Sequence, residues 1–269
     1  MPLDVGSLIL NGRYRIEGQL DLGAYGIVYR VAHVRLGTTR AVRVLERDAT
    51  GIIDPDYQDH CRRLRLEFQV ATQIDRPNVL DVYDFVEDKD ILYEVLACAP
   101  NGSLANQLMG GGPLPWMDGV RLLLDVARGL DALHERGMVH RDVTPSHILI
   151  DAQGRARIAG LGLVQVRHRD LTRCSNPDNV AGAHPGTPAY RSPEHDTQVP
   201  LMPTSDVYSM GCVAFEMLTG EVWRSARRNA TCVRDLRPDV PAWLDTIVMR
   251  MLRETPGFSE DDAEDPSKR

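Results

Sequence analysis

Disulfide bonding is the first thing this sequence has too little material to build. Five cysteines are spread over 269 residues, as Cys61, Cys98, Cys174, Cys212 and Cys232. Their number is odd and no two stand as Cys-x-x-Cys, which excludes a disulfide framework and a structural zinc site and fits a reducing compartment. Long apolar runs are absent too. No stretch approaches the ~18 residues that a membrane-crossing helix needs, although a hydrophobic content of 43% is ordinary for a globular chain. The opening Met1-Pro2-Leu3-Asp4 lacks the basic stretch and apolar core of a secretory leader. Basic charge is also short: 31 Lys and Arg stand against 38 Asp and Glu, a net charge of -7, so no nucleic-acid partner is expected. A soluble cytoplasmic protein with one large domain or two packed lobes is the expectation.

What is present has a clear order. Tyr14-Arg15-Ile16, Ile27 to Ala32 and Arg40 to Leu45 alternate as three strands, with a glycine turn at Gly23-Ala24-Tyr25-Gly26 and a hairpin at Gly37-Thr38-Thr39. A helix is predicted over Cys61 to Ile74, bounded by Pro77. Two further strands, Val79 to Phe85 and Ile91 to Leu96, flank the charged turn Glu87-Asp88-Lys89-Asp90. Beyond the Gly102-Ser103-Leu104 helix start and the break at Gly110-Gly111-Gly112-Pro113 comes an amphipathic helix. Its apolar stripe is read as Val120, Leu123, Leu124, Ala127, Leu130 and Leu133, with Gly137 as its stop. Ile148-Leu149-Ile150 and Ala156-Arg157-Ile158 make a short hairpin. A buried helix, capped by Ser205 and stopped by Gly220, and a last helix from Trp243 to Leu252 complete the pattern.

Between the amphipathic helix and that short hairpin lies His140-Arg141-Asp142-Val143-Thr144-Pro145-Ser146-His147. It resembles the catalytic loop of eukaryotic-type Ser/Thr protein kinases, H-R-D-x-x-x-x-N. Other matches fall in order around it. Gly23-x-x-Gly26 followed by Val28 is similar to the glycine-rich loop by its position, although taken alone most such pairs are simply turn glycines. Ala41-Val42-Arg43 is similar to Ala-Ile-Lys, Glu67 to the helix glutamate that pairs with that lysine, and Ser192-Pro193-Glu194 to Ala-Pro-Glu. The resemblance covers roughly residues 13–258. It implies an α+β, bilobal protein-kinase-like fold, with a five-stranded antiparallel N-lobe carrying one helix and a mainly helical C-lobe. The expected boundaries are 1–96 for the N-lobe and 97–258 for the hinge and a C-lobe trimmed at its end. An acidic, disordered tail is expected over 259–269.

The same resemblance assigns the cleft. Gly23, Gly26, Val28, Ala41, Arg43, Glu67, Ala97 and Ala99 would surround a nucleotide, and Asp142 stands at the position of the catalytic base. Asp206 matches the residue that braces the catalytic-loop backbone. The departures are concentrated on one task. His147 replaces the asparagine and Gly160 the aspartate that hold Mg²⁺, Arg43 replaces the phosphate-binding lysine, Thr144 the catalytic-loop lysine, and Asp21 the first loop glycine. These losses imply a pseudokinase: a regulatory or scaffolding module without efficient phosphoryl transfer, with no required cofactor, no bound metal, and ATP held if at all without metal. A weakly active Ser/Thr kinase using ATP is the alternative. The expected partner is a protein, either an active kinase or another signalling protein.

The segment from Gly160 to Glu194 holds Thr172 and Ser175 among Arg167, His168, Arg169 and Arg173. It reads either as a solvated polar loop or as a regulatory segment. In the second reading a phosphate on Thr172 or Ser175 is captured by Arg141 and nearby arginines, with Thr187 at the segment's end.

Overall fold

The structure is a computed structural model. It describes residues 3–23, 26–46, 55–88, 91–166, 187–196, 200–227 and 232–253. Thr172, Ser175, Cys174 and the expected tail at 259–269 lie outside the described residues.

The N-terminal part is one antiparallel sheet. Its strands are β1 (Leu8–Ile9), β2 (Tyr14–Gly23), β3 (Gly26–His33), β4 (Thr39–Glu46), β5 (Val82–Asp88) and β6 (Ile91–Leu96), in the spatial order β1-β2-β3-β4-β6-β5. Alternation gives the sheet two different faces. Tyr14, Ile16, Tyr29, Val31, Val42, Val44, Tyr93 and Val95 form one apolar cluster, completed by Ile9 and Leu10 of the N-terminal segment. The opposite face packs Leu45 and Leu92 against Cys61 and Leu64 of helix α1 (Pro55–Ala71). Gly23 pairs with Gly26 as the last rung of the β2–β3 ladder. Gly26 has φ +101° and a Cβ there would meet Val44 O at 2.3 Å, so this turn position requires glycine.

The sheet has six strands rather than the five expected, because β1 adds an edge. Two residues are too short to show alternation. Helix α1 begins at Pro55, ahead of the expected Cys61; Tyr57 is the one strongly apolar residue among its first six positions, so no periodicity marks the early turns in the sequence. The strand expected from Val79 starts at Val82. Val79 instead makes an isolated parallel bridge to Ile158, which ties the sheet to the helical part.

The C-terminal part is mainly helical: α2 (Leu104–Gly111), α3 (Trp116–His134), α4 (Pro203–Thr219), α5 (Trp223–Ala226) and α6 (Ala242–Met251). Its short strands are β7 (Met138–Val139), β8 (Ile148–Ile150), β9 (Ala156–Ile158) and β10 (Gln165–Val166), paired as β8 with β9 and β7 with β10. Leu130 and Leu133 of α3, Val213 and Phe215 of α4, Val248 of α6, and Ile148 and Ile158 share one buried core. Each fully buried aliphatic side chain contributes about 1.5–3 kcal/mol of transfer free energy, so this core dominates the lobe's stability. At Gly129 of α3 a Cβ would lie 2.7 Å from Asn78 O and 2.8 Å from Ile158 Cδ1; the bare glycine lets the helix touch the chain between α1 and β5.

Two helix details differ from expectation. Leu124 is 52% exposed, and the buried side of α3 runs through Leu122, Leu123, Val126, Leu130 and Leu133 instead. Ser205 does not cap α4, which starts at Pro203 after Met202. From the third helical position the Ser205 hydroxyl accepts the Met202 N–H. Ser103 does cap α2 and Gly220, at φ +79°, does end α4.

Candidate active site

The loop from His140 to His147 is held from below by one carboxylate. Asp206 sits in the first turn of α4 and is 1% exposed. It accepts the main-chain N–H groups of His140 and Arg141, each at 2.8 Å, and meets His134 Nε2 at 2.7 Å. Arg141 adopts φ +73° there, a left-handed conformation unusual for a residue with a side chain. His140 is buried, and burial lowers its pKa, so it stays neutral. Its Nε2 bonds to Ala159 O at 3.0 Å and its Nδ1 accepts the Asp142 N–H at 3.2 Å. A second histidine braces the loop from the other side. His195 Nε2 reaches Arg141 O at 3.2 Å, and its Nδ1 pairs with Ser192 Oγ at 2.9 Å, both residues being buried.

Asp142, the base position, has both carboxylate oxygens engaged. Oδ1 accepts from Thr187 twice, from its N–H at 2.8 Å and its Oγ1 at 3.0 Å. Oδ2 lies 3.3 Å from His147 Nδ1, which donates more closely to Asp142 O at 2.8 Å. The imidazole is thus folded back onto the loop and lies over Gly160. A Cβ at position 160 would come within 2.6 Å of a His147 ring carbon.

Above the loop, Arg43 of β4 meets two carboxyl groups through one nitrogen. Its Nη1 donates to Glu67 Oε2 on α1 at 2.9 Å and to Glu94 Oε2 on β6 at 2.7 Å. The expected Arg43–Glu67 pair is formed. Glu94 was invisible as a site residue from sequence, although its strand position, directly opposite Arg43, could have marked it. Burial pushes the Glu67 carboxyl up, but Arg43, His147 and the Gly160 N–H together hold it below its ordinary value. Glu67 Oε1 accepts that N–H at 3.0 Å and so links α1 to the segment after β9.

The cleft floor and roof are apolar. Ala41 packs with Leu80, Leu96 and Ala159, and Val28, Ala97 and Leu149 close around them. This brings together Val28, Ala41 and Ala97 from the expected cleft set and adds Leu149, which sequence alone had read as a plain strand residue. At the hinge, Ala97 donates its N–H to Asp81 O and Ala99 accepts the Gly102 N–H, so those groups belong to the fold. Where phosphates and metal would lie, Arg43, Arg63, Glu67, Asp142, His147 and Gly160 surround a cavity of about 30 Å³.

The comparisons agree with this arrangement. A family model described as protein kinase domain matches residues 14–260. The serine/threonine-protein kinase PknL of Mycobacterium tuberculosis is 34% identical over 220 residues, covering 81% of this chain and 52% of its own length. PrkC of Bacillus subtilis, also a serine/threonine-protein kinase, is 26% identical over 268 residues, covering 95% of this chain and 40% of its own. PknB of Mycobacterium leprae is 28% identical over 262 residues, covering 92% and 40%. The chain therefore spans about half the length of these relatives or less.

This relatedness overturns the expectation of no required cofactor and, at most, metal-free ATP. The relatives are serine/threonine-protein kinases, and kinase phosphoryl transfer runs on ATP with divalent metal ions bridging its phosphates. The residues present here do not fit that metal in the usual way. Position 160 carries no carboxylate, His147 offers a nitrogen to an ion that prefers oxygen, and the ring occupies the space beside Gly160. Among the described residues no group of three or more His, Cys, Asp or Glu could hold a metal ion. Also among them, no helix is long and apolar enough to cross a membrane. A six-stranded sheet over a helical lobe, a catalytic loop braced by Asp206, and a family match over residues 14–260 lead to one conclusion: the chain belongs to the protein kinase family.

Proposed function

We propose that this kinase domain acts chiefly as a regulatory module that engages a protein partner, and that it transfers phosphate from ATP with Mg²⁺ or Mn²⁺ far more slowly than a complete kinase. The observation that carries this reading is the His147 imidazole, bonded to Asp142 O at 2.8 Å and filling the space over Gly160. Phosphoryl transfer depends on positioned phosphates and neutralised charge. Asp142 can accept a proton from a hydroxyl substrate, but a base without a positioned phosphate has little to act on. The surrounding architecture suits a binding role. Asp206 holds the loop, Thr187 holds the end of the segment that follows it, and Glu67 joins α1 to both lobes.

The second reading is an active Ser/Thr protein kinase. It is favoured by the assembled Arg43–Glu67 pair and by relatives that are named as such kinases. Incubation of the purified chain with radiolabelled ATP and a generic protein substrate, in Mg²⁺ and separately in Mn²⁺, separates the two. The regulatory reading expects wild type to exceed Asp142→Asn only slightly, and the pair His147→Asn with Gly160→Asp to gain incorporation. Wild-type incorporation well above that of Asp142→Asn establishes the second reading instead.

A further inference from the structure

Arg43 and Glu94 are facing residues on neighbouring strands, and their side chains leave the same side of the sheet, towards α1. Glu94 is 0% exposed, and its second oxygen, Oε1, has no hydrogen-bond partner among the described residues. A single guanidinium nitrogen holds Glu94 Oε2 and Glu67 Oε2 at once. Two buried negative charges on one cation are unfavourable, because desolvation outweighs the attraction that a shared partner returns. Burial, reinforced by the Glu67 charge and opposed by Arg43, pushes the Glu94 carboxyl up to about 8. The trio is faced by Asp142 and His147 from the catalytic loop and by Arg63 from α1, which line the same small cavity as Arg43.

We propose that Glu94 is a positioning residue that competes with nucleotide phosphates for the Arg43 guanidinium, so that a carboxyl on β6 sets how much positive charge the cleft presents. The inference rests on the reading above that ATP with a divalent metal enters this cleft. With Glu94 protonated, Arg43 and Glu67 sum to zero charge. With Glu94 ionised, the trio carries a net negative charge and repels a polyphosphate. An extra unit charge at such range alters anion affinity by on the order of tenfold in a partly shielded site.

The test is calorimetric titration of MgATP into wild type and Glu94→Gln between about pH 6.5 and about pH 9.5, with thermal unfolding of each ligand-free protein as a check of folding. Glutamine keeps the size of the side chain and cannot ionise. Equal affinities at the acid end are expected. At the alkaline end wild type is expected to be weaker by about tenfold, while Glu94→Gln stays flat. ATP's own titration is shared by both proteins and cancels in their ratio. A second variant, Glu94→Met, removes the competing acceptor and is expected to bind MgATP several-fold more tightly than wild type throughout. Parallel pH profiles in wild type and Glu94→Gln overturn this inference while leaving nucleotide binding intact. Absence of binding to all three proteins at every pH overturns the ATP reading itself, and this inference with it.

Discussion

Thr187 donates both its main-chain N–H and its hydroxyl to one oxygen of Asp142, a residue 45 positions earlier in the chain. This pair of hydrogen bonds ties Thr187 to the catalytic loop and takes up one of the two oxygens of Asp142. A double-mutant cycle with Asp142→Ala and Thr187→Ala measures the tie. The side-chain half is expected to show a coupling of about 0.5–1.5 kcal/mol in urea denaturation, the usual net value of an intramolecular hydrogen bond, with solvent exposure holding it below the range for buried charged acceptors. Additive losses would mean that the two residues meet without holding each other.

Asp206 supports the loop more deeply. Replacing it by alanine leaves the buried N–H groups of His140 and Arg141 without their acceptor and releases the backbone from φ +73° at Arg141. A loss of about 3–5 kcal/mol is expected for Asp206→Ala, the range for breaking a buried charged network from one side. Asp206→Asn, which retains an acceptor oxygen, is expected to lose less. Denaturant midpoints of the two variants give the comparison, and equal losses would contradict this account of the brace.

Gly160 and His147 form a steric pair. Gly160→Ala introduces a Cβ about 2.6 Å from the ring and places it at φ +76°. The combined crowding and left-handed strain are expected to destabilise by about 2–4 kcal/mol. In a His147→Ala background the crowding is gone and only the strain remains, about 1–2 kcal/mol. Thermal unfolding of the four proteins of this cycle checks it. A Gly160→Ala loss unchanged by His147→Ala would show that the ring does not fill the space.

Glu94 makes stability depend on pH. Its folded pKa, about 8, lies above the ordinary carboxyl value of 4.5, so the native state holds this proton more tightly than the unfolded chain. Stability from this group is fully present below about pH 4.5, declines as pH rises towards about 8, and is flat beyond. Glu94→Gln has no such proton to lose. Its advantage over wild type should therefore grow from about pH 5 to about pH 8 and then level off, reaching roughly 4–5 kcal/mol. Chemical denaturation at a series of pH values follows the difference. A constant difference across the range would mean that Glu94 is ionised throughout.

Much of the fold and part of the cleft were legible in sequence because they rest on local rules. Strand alternation located β2, β3, β4 and β6, glycine φ requirements marked the Gly23–Gly26 turn and the end of α4, and motif order located Asp142, Glu67 and Asp206. What local rules could not supply was partnership across distance. Glu94 reads as one more polar residue in an apolar strand until β6 is laid beside β4 in register. Leu149 reads as strand core until it closes under Ala41, and Leu124 reads as core until α3 is rotated by its packing.

The sequence by itself determined the family and the losses: His147, Gly160 and Arg43 stand where the motif wants other chemistry, and no folding can change a residue's identity. Tertiary structure alone decided what became of the vacated roles. It turned His147 back onto Asp142 and over Gly160, gave Arg43 two carboxyl groups instead of one, and closed Asp142 under Thr187. The physical reason is that buried charge and backbone polar groups must find partners. Which partners they find depends on elements dozens of residues apart arriving at the same place.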